Sequence, residues 1–158
     1  MEGRTEWLHL PDGSVMPHIV VPMPEDGSCL FHALTYLMTD LTDTVTAYQI
    51  RSAIVSYVVT NWDHLEVYTC DENGATYPNA EVYSCAMLNV STYGSVSELI
   101  AAGAIYPFIF EVYERNTLRG SFGDSGEIKR MRFRGSFLNG HFDVLLRLDG
   151  LHFVDDDE

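Results

Sequence analysis

The sequence predicts an α+β domain, with helices in the first two thirds, strands in the last third, and a small β-sheet packed between helices. Three observations carry this. From Cys29, the residues Leu30, Ala33, Leu34, Leu37, Met38 and Leu41 recur at helical spacing and mark one face of an amphipathic helix. Beyond residue 104, aromatic and β-branched residues gather in three runs that read as strands. The 158 residues fit one domain, 1–158, with its motifs in 24–148. A chain of this size buries roughly 70% of its unfolded surface and needs no disulfide or metal to hold it.

Taken in order, residues 11–28 are rich in Pro, Gly and Asp and read as an extended, turning lead-in. Ser28 stands at or beside the N-cap of the Cys29 helix. A second helix is expected from Val45 to about Trp62, with Ala47, Ile50, Ile54, Tyr57 and Val58 inward. Residues 69–80 read as a surface loop, and a short helix follows over Ala80–Leu88. Ser95 or Ser97 opens another helix, Val96 to Ala102, which Gly103 stops. The strands are expected at Ile105–Tyr113, Met131–Phe137 and His141–Leu148. The acidic end, 155–158, reads as a solvated tail.

Composition narrows the function. The formal charge is −14, from 23 acidic and 9 basic residues, which disfavours nucleic acid and anionic membranes and attracts basic partners. The one basic run, Lys129-Arg130-Met131-Arg132-Phe133-Arg134, alternates like a strand with its arginines on one face; it reads as a solvated edge. No apolar run reaches the roughly 18 residues of a membrane span, and the first ten residues lack the apolar stretch of a secretory signal. Three cysteines without C-x-x-C spacing indicate free thiols, a reducing compartment and hence a cytoplasmic location. The cysteine spacing also argues against a zinc ribbon, and a monomer is the default.

A cysteine opening an apolar helix is most often a small buried hydrophobe. Around Cys29, however, the polar turn Glu25-Asp26-Gly27-Ser28 puts the sulfur at the helix end. There, unpaired backbone N–H groups favour a thiolate. The same amides, from Asp26, Gly27, Ser28 and Cys29, can form an oxyanion hole. Of the six histidines, His141 alone has a local signature: it follows the turn signal Asn139-Gly140 and opens His-Phe-Asp-Val-Leu-Leu. On a strand His141 and Asp143 share a face, so Asp143 can orient the imidazole as the third member of a nucleophile–base–orienter triad. His32 follows Cys29 by three residues but has no obvious orienting carboxylate. His9, His18, His64 and His152 read as surface or half-buried.

These residues resemble a known family. Asp26-Gly27-Ser28-Cys29-Leu30-Phe31-His32-Ala33 is similar to the Asp-Gly-x-Cys block of ovarian-tumour (OTU) domain proteases, and His141-Phe142-Asp143 to their closing His-aromatic-[Asp/Asn] block. Between them, Ala86-Met87 through Tyr93-Gly94-Ser95-Val96-Ser97-Glu98-Leu99 resembles the middle block, with Tyr93 where Trp is usual and Ser95 where a second Gly is common. The resemblance implies a papain-like α+β fold and hydrolysis of the bond after the C-terminal glycine of ubiquitin, in chains or conjugates. Cys29 would be the nucleophile, His141 the base and Asp143 its orienter. Asp26 is sometimes counted with them, although its place before the helix suits a turn-shaping role. The ubiquitin tail would run between the Cys29 turn and Thr92–Gly94 (Thr92, Tyr93, Gly94). The small size resembles viral or bacterial-effector versions, which implies host cytosol and extends the substrates to other ubiquitin-like modifiers. Two alternatives stay open: a papain-like peptide protease, such as a self-processing polyprotein domain, and a catalytically silent ubiquitin-binding module.

Overall fold

The chain begins with a hairpin where only a turning approach is expected from the sequence. In the computed structural model, which describes residues 4–136 and 138–148, β1 (Thr5–His9) and β2 (Val15–Val21) pair antiparallel. Proline 17 (Pro17) hides this strand from a sequence reading. It pairs with Trp7 and lies just before the stretch, His18–Val21, where β2 also bonds to the last strand. Its missing donor therefore costs no bond on that side.

Helix α1 (Cys29–Thr39) follows, then α2 (Thr44–Thr60), whose N-cap Asp43 accepts from the Val45 and Thr46 amides. A short α3 (Trp62–Leu65) runs into a single 3₁₀ turn, and α4 (Ala80–Met87) begins at Asn79, whose side chain caps Val82. Helix α5 (Val96–Ile105) starts with a capping box between Ser95 and Glu98. Gly103 does not stop it. The helix runs two residues further, and a Cβ at Gly103 would lie 2.5 Å from the Gly123 nitrogen and the Phe122 carbonyl carbon. The glycine is there because α5 meets the backbone of the sheet.

Strands β3 (Phe108–Glu114), β4 (Thr117–Phe122), β5 (Glu127–Arg134) and β6 (His141–Arg147) complete a sheet in the order β1-β2-β6-β5-β3-β4. Only β3–β5 and a single β1–β4 pair, His9 with Thr117, run parallel; the latter closes the sheet into a barrel. The expected strands at 105–113, 131–137 and 141–148 correspond to β3, β5 and β6, but Ile105 ends α5 instead, β5 starts earlier and stops at Arg134, and Phe137 lies outside the described residues. β4 was not expected. Its tight turn uses Arg115 and Asn116, both at positive φ (52° and 68°), without the Asn-Gly that usually announces such a hairpin.

The sheet's two faces divide the core. Phe110, Val112, Met131, Phe142 and Val144 pack with Leu30, Phe31 and Leu34 of α1, Ile54 and Val58 of α2, and Leu99 of α5. The other face gathers Leu8, Leu10, Val20, Tyr113 and Leu145. β5 lies between β6 and β3, so its arginines do not form a solvated edge. Arg130 pairs with Glu111 at 2.9 Å, Arg134 with Glu25 at 2.8 Å, and Arg132 lies 3.8 Å from Asp143. None of the described helices is long and apolar enough to cross a membrane.

Candidate active site

Cys29 opens α1 directly under the start of β6. Its Sγ lies 3.7 Å from the Gly140 carbonyl, across 111 residues of sequence, and the residue is buried. Gly140 can sit there because a side chain at that position would overlap the Phe133 ring, 2.1 Å from an ideal Cβ. The thiol points at a carbonyl and so donates a hydrogen bond. Burial pushes its pKa above the ordinary value; the Phe142 and Leu30 amides pull the other way, and the Asp26 and Asp143 charges add to the rise. Burial and the contact with the Gly140 carbonyl both favour the thiol over the thiolate.

The alternation expected of His141 and Asp143 is present, and both are buried. Nε2 of His141 is 2.7 Å from Oδ1 of Asp143. The same oxygen accepts the Met23 amide at 2.8 Å, so Asp143 ties β6 to the segment leading into α1. With Nε2 engaged, Nδ1 is the ring atom left for proton exchange. Arg132, directly opposite Asp143 in the β5–β6 register, places its cation behind the carboxylate.

The turn before Cys29 is a tight one. Asp26 is exposed, and its Oδ1 accepts the Ser28 amide at 2.9 Å, while its carbonyl accepts the Cys29 amide at 3.2 Å. Among the described residues the Asp26 and Gly27 amides have no partner, so of the four expected oxyanion donors these two are unengaged. Ser28 occupies the N-cap position, but its side chain does not cap; the hydroxyl donates to the Val90 carbonyl at 2.8 Å. Gly27 packs against Ser91, whose oxygen would be 2.1 Å from a Cβ there.

The expected tail-binding residues stand beside this turn. Thr92 Oγ1 donates to the Ala86 carbonyl at 2.7 Å, and Gly94 packs on Leu30 and Phe31, where a Cβ would be 2.8 Å from Leu30. Thr92 and the half-buried Tyr93 line a cleft of about 740 Å³ with Asp71, Glu72, Asn89 and Asn139. Asn139 is two residues from His141, so this cleft adjoins the Cys29 site. His32 is buried in a separate groove with Asp26, Thr44 and Tyr48. His18, expected at the surface or half-buried, is fully buried, with Nδ1 3.1 Å from the Met16 carbonyl and Nε2 3.5 Å from Arg130. His9 and His64 are exposed; His152 and the acidic tail 155–158 lie outside the described residues. Cys70 and Cys85 are free thiols.

Sequence reasoning passed over Arg51. It is buried, lies against the Phe31 ring at 4.1 Å, and donates to the Gly27 and Val90 carbonyls next to the nucleophile turn. A signal was present. Arg51 falls on the α2 stripe with Ala47, Ile54 and Val58, the one charge among those apolar residues.

A small curled sheet with a cysteine-led helix on one face, and a His-x-Asp strand above that cysteine, defines an α+β domain. The particular fold is that of OTU domains. An OTU domain solved in complex with ubiquitin superposes with a TM-score of 0.67 at 17% identity, over 90% of this chain and 77% of that one. The viral OTU domain protease from Taggert virus gives 0.64 at 18% identity, over 92% and 94%. The Hazara virus OTU bound to ubiquitin gives 0.58 at 20% identity, over 91% and 96%. No protein-family model matches the sequence. No curated protein matches it either.

Proposed function

We propose that the protein is a cysteine-type deubiquitinase that hydrolyses the bond after the C-terminal glycine of ubiquitin or a ubiquitin-like modifier. One observation carries the reading: in an OTU fold, a buried Cys29 sulfur lies 3.7 Å from the carbonyl of Gly140, the residue before His141, whose ring is held at 2.7 Å by Asp143. Ubiquitin as the partner is supported by the two neighbours solved with it.

In this reading Cys29 Sγ attacks the glycine carbonyl and its proton passes to Nδ1 of His141. The oxyanion falls to the Asp26 and Gly27 amides, with the Cys29 amide, weakly held at 3.2 Å, as a third donor. Collapse breaks the C–N bond, and His141 returns the proton to the leaving amine. Water then hydrolyses the thioester with His141 as base. Asp143 holds the ring throughout, and Asp26 shapes the turn. The modifier's tail reaches Cys29 past Thr92, Tyr93 and Gly94.

The test is a ubiquitin probe with a C-terminal electrophile, applied to the parent and to Cys29→Ala. An adduct in the parent alone supports both nucleophile and substrate. A folded parent that forms none removes ubiquitin, and the same electrophile on other ubiquitin-like tails and on short peptides then decides between modifier and peptide substrates.

A further inference from the structure

Arg51 is a cation in the apolar core whose hydrogen-bond partners, among the described residues, include no carboxylate; Glu98 and Asp26 favour its charge only through space. Nη1 donates to the carbonyls of Met87 (2.7 Å) and Thr92 (3.0 Å). Nη2 donates to the carbonyls of Gly27 (3.2 Å) and Val90 (3.1 Å) and to the Ser28 hydroxyl (3.1 Å). Burying such a charge is costly, so the five acceptors and the Phe31 ring must offset a large desolvation. An apolar residue on this stripe of α2 would give a simpler core. The partners fall in just two segments besides α2: the turn that presents Cys29, and the 87–92 stretch that begins the Thr92–Gly94 wall. Those segments also touch directly, through Gly27 on Ser91 and Ser28 Oγ on the Val90 carbonyl.

We propose that Arg51 is a positioning residue that locks the nucleophile turn to the tail-binding wall, fixing the Asp26 and Gly27 amides where the oxyanion forms. The proposal rests on Cys29 acting in acyl transfer. Only a planar, five-donor fork can serve acceptors spread over both segments; a lysine keeps the charge but not that geometry.

The experiment compares the parent with Arg51→Lys and with Ser28→Ala, which removes one Arg51 acceptor together with the direct Ser28–Val90 bond and leaves the cation in place. Three quantities are read below the unfolding transition: ubiquitin hydrolysis, alkylation of Cys29 by iodoacetamide followed at the peptide level, and amide hydrogen exchange. Alkylation displaces iodide at a saturated carbon and builds no oxyanion. Arg51→Lys should lower kcat about tenfold or more with a smaller change in KM, as loss of an oxyanion donor does. It should leave alkylation nearly unchanged and speed exchange in both 26–29 and 88–94. Ser28→Ala should shift kcat and exchange the same way by less. Unchanged kcat, or an equal fall in hydrolysis and alkylation, overturns the proposal by reducing Arg51 to a core residue. Unchanged exchange overturns it whatever the substrate. A parent inert towards ubiquitin instead sinks the functional reading, and the exchange result still decides the clamp.

Discussion

At the residue scale the informative feature is the protonation of Cys29. Thiolate is the reactive form, and burial lifts this thiol above its ordinary range while its hydrogen points at the Gly140 carbonyl. The sign is therefore opposite to that of a preformed thiolate–imidazolium pair. The iodoacetamide rate at Cys29 in the free protein should keep rising as pH climbs through and beyond the ordinary thiol range of about 8.5. A rate already level near neutrality would refute the resting thiol. Asp143 supports a second expectation, since one oxygen serves both the Met23 amide and His141 Nε2. Asp143→Ala should cut turnover severely yet roughly two orders of magnitude less than His141→Ala, as expected for an orienter beside a base; equal losses in a steady-state assay would contradict the assignment. The His141–Asp143 geometry was legible in the sequence because strand period is local and fixed. For Arg51 only its place on the apolar α2 stripe was legible; its role was not, because most of its partners are carbonyls, which every residue has, on segments 24 to 41 positions away.

At the scale of elements, legibility followed how far a signal depends on neighbours. Helix α1 declares itself by its apolar spacing, and α5 by Ser95 and Glu98, which satisfy each other's backbone partners. The β2 strand was masked by Pro17, harmless only because β6 begins its pairing one residue later. The β5 arginines alternate as expected, but whether such a face meets water or carboxylates depends on which strands flank it. Gly103 shows the same dependence and can be tested. In an isolated helix Gly→Ala gains about 1 kcal/mol. Here the added methyl meets the Phe122–Gly123 backbone at 2.5 Å, and overpacking of that kind costs about 1–3 kcal/mol. Backbone cannot swing aside as a side chain can, so the clash wins. Gly103→Ala should lower the urea midpoint with little change in slope, and a raised midpoint would show that α5 can shift away from β4.

For the molecule as a whole, the site exists only when its two ends meet. Asp143 bonds to Met23 across 120 residues and Cys29 to Gly140 across 111, so β6 completes what α1 begins. The remaining property of this scale is charge. Of the 9 basic residues against 23 acidic ones, three arginines pair with Glu111, Glu25 and Asp143, and the acidic excess of 14 is left uncompensated. The cleft at Thr92 and Tyr93 carries Asp71 and Glu72 on its wall. A basic modifier tail approaching this cleft feels an attractive field that salt screens over a Debye length of about 10 Å at 0.1 M. Such steering acts on encounter more than on the bound complex. Raising ionic strength should therefore slow the association of ubiquitin with Cys29→Ala, measured by stopped flow, while dissociation changes little. Replacing Glu72 by Gln should flatten that salt dependence without altering Cys29 alkylation. An association rate indifferent to salt would mean that ubiquitin, if it binds, docks on a part of the surface where this charge is not felt.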